Sequence, residues 1–360
     1  MEILSAVRNG IATVTLNRPS ALNALTQDMV LELHAFLREW ADSSEVKAVL
    51  VRGAGEKAFC AGGDVRALYE SFNAGGTLHN DFFVVEYELD AYIHSYPKPF
   101  ISLMNGITMG GGMGVAQGAH FRVATDNTRI AMPEVGIGLI PDVGASYFLS
   151  RLPGSLGPYL ALTGNQMRAA DALYAGLADF YLSTEALASL DEALQQIQWT
   201  QDSGADIRKA LLSLGTMQLP GAPLEAVRTA IDRHFSQDNA VGVLHSLRNE
   251  TSSEYSAWTQ QTLTTVSTRS PLTIAVALRQ LQRGKTLTLA ECLRMELGLV
   301  HHCFEDGDFI EGVRALIIDK DNKPLWRHDN AEAVLESELD TFFSCPWSQT
   351  SHPLANLENA

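Results

Sequence analysis

The hydrophobic positions along the chain change period several times, and each change predicts an element. Ile11-Ala12-Thr13-Val14-Thr15-Leu16 alternates like a strand and is stopped by Asn17-Arg18-Pro19-Ser20. After Thr26, a residue suited to capping a helix, apolar side chains recur at Met29, Val30, Leu33, Phe36, Leu37 and Trp40, one face of a helix. Residues 46–51 are almost continuously apolar, which predicts a buried strand closed by Gly53-Ala54-Gly55. Helical spacing follows over 65–72 and 82–93, then a third strand at Phe100–Met104 and short strands at 121–124 and 128–131. Helices return over 155–162 and 169–175.

Strand and helix therefore alternate through about the first 180 residues, which implies an α/β core. Beyond it the pattern is mostly helical, at 185–197, 205–214, 224–235 and 240–249, with bends expected at Gly204 and over 215–223. The tail from His352 reads as frayed. This divides the chain into an α/β core over 1–200 and a helical region over 201–360, packed on the core or on a neighbouring subunit.

Two glycine-rich turns carry the candidate chemistry. In Ile107-Thr108-Met109-Gly110-Gly111-Gly112-Met113-Gly114 a strand runs into a turn from which a helix starts, and a helix start offers unpaired N–H groups. Glycine lets a ligand reach that backbone because no Cβ intervenes. In Lys57-Ala58-Phe59-Cys60-Ala61-Gly62-Gly63-Asp64 a second strand ends the same way, with Asp64 placed to cap the next helix. Either turn alone also suits tight packing. Together they can direct two N–H donors at one oxygen, where a single donor contributes about 2.7–4 kcal/mol to an oxyanion-like transition state. The 107–114 run fits neither a dinucleotide fingerprint nor a phosphate loop, because from Gly110 or Gly112 the third glycine would fall on Val115 or Gln117 and no Gly-Lys-Ser/Thr follows.

Composition narrows the partners. A formal net charge of −16 argues against nucleic acid, and no apolar run reaches the length of a membrane span. Met1-Glu2-Ile3-Leu4-Ser5 shows no signal or transit pattern, so a cytoplasmic location is expected. Cys60, Cys292, Cys303 and Cys345 are far apart, which speaks for reduced thiols and against zinc or a disulfide framework. Cys60 has no evident histidine base, and His301-His302 cannot share a helix face as metal ligands. No Gly-x-Ser-x-Gly motif supports a serine thioesterase.

Ala21-Leu22-Asn23-Ala24-Leu25, the 59–64 turn, Asn105 through Gly112 and Met132-Pro133-Glu134 together resemble the crotonase (enoyl-CoA hydratase/isomerase) superfamily, in order and separation. The resemblance implies a spiral of ββα turns, an acyl-CoA substrate, and an oxyanion held by the N–H groups of Gly63 and Gly111. It also implies a departure. Hydratases place one glutamate two residues after the glycine triplet and a second about twenty further on; the first position here is Gly114, and only the second, Glu134, is acidic. Asp142 in Pro141-Asp142-Val143-Gly144 and Glu86 in Phe82-Phe83-Val84-Val85-Glu86-Tyr87 instead resemble the 3-hydroxyisobutyryl-CoA hydrolase branch. So do Ser270-Pro271, Leu278-Arg279-Gln280-Leu281 and the stretch from Asp308-Phe309 to Asp321.

That branch implies hydrolysis of a short branched β-hydroxyacyl-CoA, a step of valine catabolism. Glu134 would attack the thioester to form a mixed anhydride or deprotonate water; Asp142 would orient the β-hydroxyl; Glu86 would shape the polar end of the pocket. No metal or redox cofactor is called for, CoA being part of the substrate, and a homo-oligomer is compatible with the superfamily. The rival readings are a Δ3,Δ2-enoyl-CoA isomerase working through Glu134 alone, an enoyl-CoA hydratase, and a non-catalytic acyl-CoA-binding scaffold. Read singly, Glu86 and Asp142 could equally be helix caps or solvated surface charges.

Overall fold

The computed structural model describes residues 1–358. Nine strands form two sheets. The larger has the order β1 (Ile3–Arg8), β2 (Ile11–Leu16), β3 (Ala48–Gly53), β5 (Phe100–Met104), β7 (Phe121–Thr125) and β9 (Phe180–Leu182); the smaller has β4 (Ala58–Cys60), β6 (Ile107–Met109) and β8 (Arg129–Ala131). All pairings are parallel except β1 with β2. The chain crosses the large sheet, then the small one, then helix, and repeats: β3 to β4, β5 to β6, β7 to β8. This is the expected spiral of ββα turns. Each switch between sheets needs a sharp corner. At Gly106, with φ at +95°, a Cβ would sit 2.5 Å from the Lys57 carbonyl oxygen, so no other residue fits.

The chain forms two compact units. The first comprises Met1–Gly63, Glu88–Ala131 and Gln166–Glu225 and contains both sheets. Its core joins Ile11, Leu50, Ile101, Val123 and Phe180 from the large sheet to Leu190, Leu194, Ile207 and Leu211 from helices. The second comprises Asp64–Tyr87, Met132–Asn165 and the chain from Ala226 onwards and is helical. Residue 200 divides the sequence but not these units. The chain enters the helical unit directly after β4, again after β8, and a third time after β9, so each unit draws on both sides of that position.

Most elements lie where the hydrophobic pattern predicts them. Thr26 caps Gln27–Asp42 by accepting from the Met29 N–H, and the 46–51 strand is displaced by two residues to Ala48–Gly53. Strand β1 was hidden because only Ile3 of its six residues is buried, although Asn9-Gly10, with φ values of 46° and 74°, is the turn of a tight hairpin. The helix expected over 185–197 is two, Thr184–Ala188 and Leu190–Gln195, divided at Ser189; that over 224–235 is also two, Pro223–Ala226 and Arg228–His234. Gly204 lies in the first turn of the Ser203–Leu214 helix, not in a bend. The tail is held down rather than frayed at His352. That ring and Leu354 are buried, and the Arg294 guanidinium donates to the carbonyls of Leu354 and Leu357.

Candidate active site

Parallel pairing of β4 with β6 places the two glycine turns at the same end of the small sheet. They touch. A Cβ at Gly62, whose φ is +107°, would lie 3.3 Å from the Met109 carbonyl oxygen and 3.6 Å from the Gly111 nitrogen. Gly111 opens the Gly111–Gln117 helix after Gly110 (φ 48°), so its N–H belongs to the first turn, which has no carbonyl one turn earlier to bond. Gly112 has a different duty: a Cβ there would fall 2.2 Å from the Cys60 carbonyl oxygen, so this glycine permits close packing. Cys60 is buried with its sulfur against the Gly62 backbone, as a small core thiol would be.

Gly114 is equally confined. A Cβ at this position would lie 2.6 Å from a carboxyl oxygen of Asp90, itself buried. The side chain of a hydratase-type glutamate therefore has no room at 114 while Asp90 keeps its place.

The helical unit holds the carboxylates. Glu86 on the Leu78–His94 helix, Glu134 and Asp142 are each no more than 5% exposed, which excludes solvated surface charge for all three. The Tyr87 hydroxyl donates to Asp142 Oδ2 at 2.7 Å. Glu86 Oε1 and Glu134 Oε2 are buried with no hydrogen-bond partner among the described residues. Burial first, then the charge of Asp142, pushes both Glu86 and Glu134 well above the usual carboxylate range, and Glu134 adds to the effect on Glu86. Asp142 is raised to about 6 by burial, with the Tyr87 bond acting in the opposite direction. Three acidic groups that raise one another's proton affinity cannot all be charged at little cost, and such a group is characteristic of a reactive site.

Local sequence explains how Glu134 and Asp142 are presented. Pro133 leads into a short 3-10 turn over Glu134–Ile137, closed by left-handed Gly138, where a Cβ would meet the Asp308 backbone at 2.4 Å. Ser270, from the distal part of the resemblance, bonds the Val135 carbonyl through its N–H, caps the Pro271–Gly284 helix, and donates its hydroxyl to Asp308 at 2.6 Å. The distal residues Ser270 and Asp308 thus act as supports of the Glu134 turn.

Four buried residues have no role in the sequence reading, although Tyr87 and Gln280 lie within its motifs. Tyr87 and Asp90 share the buried stripe of the Leu78–His94 helix with Glu86. Glu296 lies in the Leu289–Glu305 helix, and Gln280 in the Pro271–Gly284 helix; both are fully buried. Burial pushes Glu296 up to about 8 against the pull of its hydrogen bonds to Ser146 and Gly144. The available signal was a charged residue interrupting the apolar stripe of Cys292, Leu293, Leu297 and Val300. His302, weighed as a metal ligand, instead meets the Ser344 carbonyl at 2.9 Å and Asp306 at 3.3 Å.

The chain is similar to known proteins in both sequence and fold. The sequence model of the enoyl-CoA hydratase/isomerase family matches residues 11–343. The chain is 40% identical over 347 residues, 95% of its length and 89% of the relative's, to "3-hydroxyisobutyryl-CoA hydrolase, mitochondrial" of Danio rerio. It is 38% identical over 346 residues, 95% and 88%, to the protein of the same name from Homo sapiens. Among solved structures, a carnitinyl-CoA dehydratase from Mycobacterium thermoresistibile matches with a TM-score of 0.87 at 37% identity, covering 95% of this chain and 96% of that one. An enoyl-CoA hydratase from Rhodobacter sphaeroides matches with 0.86 at 36%, covering 96% and 98%. The curated relatives are named mitochondrial, so the cytoplasmic expectation gains nothing from them; among the described residues no helix is long and apolar enough to cross a membrane. By sequence over nearly its whole length and by fold, the chain belongs to the enoyl-CoA hydratase/isomerase family.

Proposed function

We infer that the protein hydrolyses 3-hydroxyisobutyryl-CoA to 3-hydroxyisobutyrate and CoA. The observation that carries this is a pairing: relatives named for that activity at about 40% identity over 95% of the chain, and a buried Glu86, Glu134 and Asp142 in place of a hydratase's two glutamates. In the proposed division of labour, the N–H groups of Gly63 and Gly111 hold the thioester oxygen as it gains charge. Glu134, whose Oε2 is uncommitted, either attacks the carbonyl carbon, expelling CoA and leaving a mixed anhydride for water to cleave, or takes a proton from the attacking water. Asp142, oriented by Tyr87, accepts the β-hydroxyl of the acyl group, and Glu86 lines the polar end beside it. The reaction so written needs no metal or redox cofactor.

A second reading has one specific support: the two structural neighbours that match over nearly the whole chain are named a dehydratase and a hydratase. Against it stands Gly114, where Asp90 takes the space of the first glutamate. One experiment separates the two. Thiol release should be rapid from 3-hydroxyisobutyryl-CoA and slow from isobutyryl-CoA, with negligible hydration of an enoyl-CoA. Fast hydration with little thiol release would overturn the hydrolase reading.

A further inference from the structure

Asp142 is followed by a backbone that strains against its own residues. Val143 has φ at 53° and Gly144 at 86°, so two consecutive residues are left-handed, and Val143 is β-branched. A β-branched residue holds such a conformation only where its surroundings over-determine it. Residues 141–146 are all buried, so their polar backbone must find protein partners.

Glu296 and Gln280 supply those partners. Glu296 Oε2 accepts the Gly144 N–H and Oε1 accepts the Ser146 N–H, both at 2.7 Å, and the Ser146 hydroxyl also bonds this carboxylate. Gln280 Nε2 donates to the Pro141 carbonyl and, at 2.8 Å, to Ser146 Oγ. Asp142 is thus bracketed, one anchor on the residue before it and four on the residues after. An acidic side chain in the middle of a buried helix is costly unless it has such work.

We propose that Glu296 is a positioning residue of the thioester reaction: its carboxylate locks the left-handed Val143-Gly144 pair and so aims Asp142, with Gln280 as the second anchor. The inference rests on the reading of Asp142 as the group that accepts the substrate hydroxyl. A glutamate that merely filled core volume would influence stability alone. One that aims Asp142 also governs the preference for a hydroxylated acyl group.

The test compares wild type, Asp142→Asn, Glu296→Gln and the double variant Val143→Gly/Glu296→Gln, reading kcat/KM for thiol release from 3-hydroxyisobutyryl-CoA and from isobutyryl-CoA. Gln preserves size but turns a donor toward one of the two N–H groups. Glu296→Gln should lower kcat/KM on the hydroxylated substrate by about 10-fold or more and narrow the preference, as Asp142→Asn does. Val143→Gly removes the left-handed penalty and should return about 3-fold or more of that loss. Equal losses on both substrates in Glu296→Gln, or no rescue by glycine, would overturn the proposal. If Asp142→Asn itself leaves the preference intact, the Asp142 reading fails instead. Should Glu296→Gln not fold, Gln280→Met cuts the bracket at Pro141 and is judged by the same ratio, an unchanged preference again overturning the proposal.

Discussion

The glycine turns and the carboxylate cluster are built on opposite plans. The turns are backbone: Gly62, Gly63, Gly110 and Gly111 bring no side chain, and their dipoles are aligned by β4, β6 and the start of a short helix. Nothing in them ionises. The cluster is side chain throughout, collected from positions 86, 134 and 142 and concentrated where water does not reach. Its reactivity and its cost to the fold have the same origin, buried acids that raise one another's proton affinity. A backbone donor can be preorganised without burying an ionisable group, whereas a buried base cannot.

Glu134→Gln probes the cluster most severely. It should leave folding and CoA affinity nearly intact while lowering turnover by at least about 100-fold, measured by steady-state thiol release beside a thermal melt. Wild-type turnover in this variant would remove Glu134 from the chemistry.

Next comes a contrast inside the glycine run. Gly111→Val should cut kcat/KM steeply with a modest fall in Tm, since a branched side chain blocks approach to the N–H. Gly112→Ala should do the reverse, because its methyl would fall 2.2 Å from the Cys60 carbonyl oxygen and damage folding first. Matching losses of stability and activity in both variants would erase the distinction between donor and packing glycine.

Tyr87→Phe should have a smaller effect with a definite sign. The tyrosine bond lowers the proton affinity of Asp142, so its loss moves the aspartate above about 6. The acidic limb of the kcat/KM profile should shift upward by about half to one pH unit, with activity at pH 7 falling by up to about 2-fold. An unmoved limb would mean that Asp142 does not control it.

Glu86→Gln should have the mildest consequence, on stability. Folding raises the proton affinity of Glu86, so the folded state binds more protons than the unfolded one above the ordinary glutamate range. Stability is therefore full at acid pH and declines as pH rises. Replacing Glu86 removes that decline: Tm should exceed wild type by about 2 °C or more at pH 8 and match it near pH 4, by scanning calorimetry. An unchanged gap across pH would contradict the proposed origin of the cost.

Much of this was legible residue by residue. The caps at Thr26 and Asp64, the strand ending in three glycines and the buried Phe100–Met104 strand are each written in a contiguous run, because turn chemistry and hydrophobic period act over a few residues. Glu134 and Asp142 stand out as carboxyl groups soon after the glycine run, and resemblance, not periodicity, supplies their roles. Burial, which rejects the surface-charge reading of Glu86 and Asp142, emerges only when distant segments enclose them. Strand β1 and the anchored tail were missed for a related reason, since an edge strand exposes most of its side chains and Arg294 reaches the tail from 60 residues away at Leu354.

The sequence alone determined the alternation of strand and helix, the glycines that permit a bare backbone, and the absence of a glutamate at 114. Those follow from local sterics and from which side chains exist. Only the tertiary structure decided that Asp90 fills the space beside Gly114, that Tyr87 bonds Asp142, and that Glu296 holds Gly144 and Ser146 from about 150 residues further along the chain. A hydrogen bond depends on distance and direction between groups, and for partners so far apart in sequence both are set by the packing of helices rather than by any pattern in the residues between them.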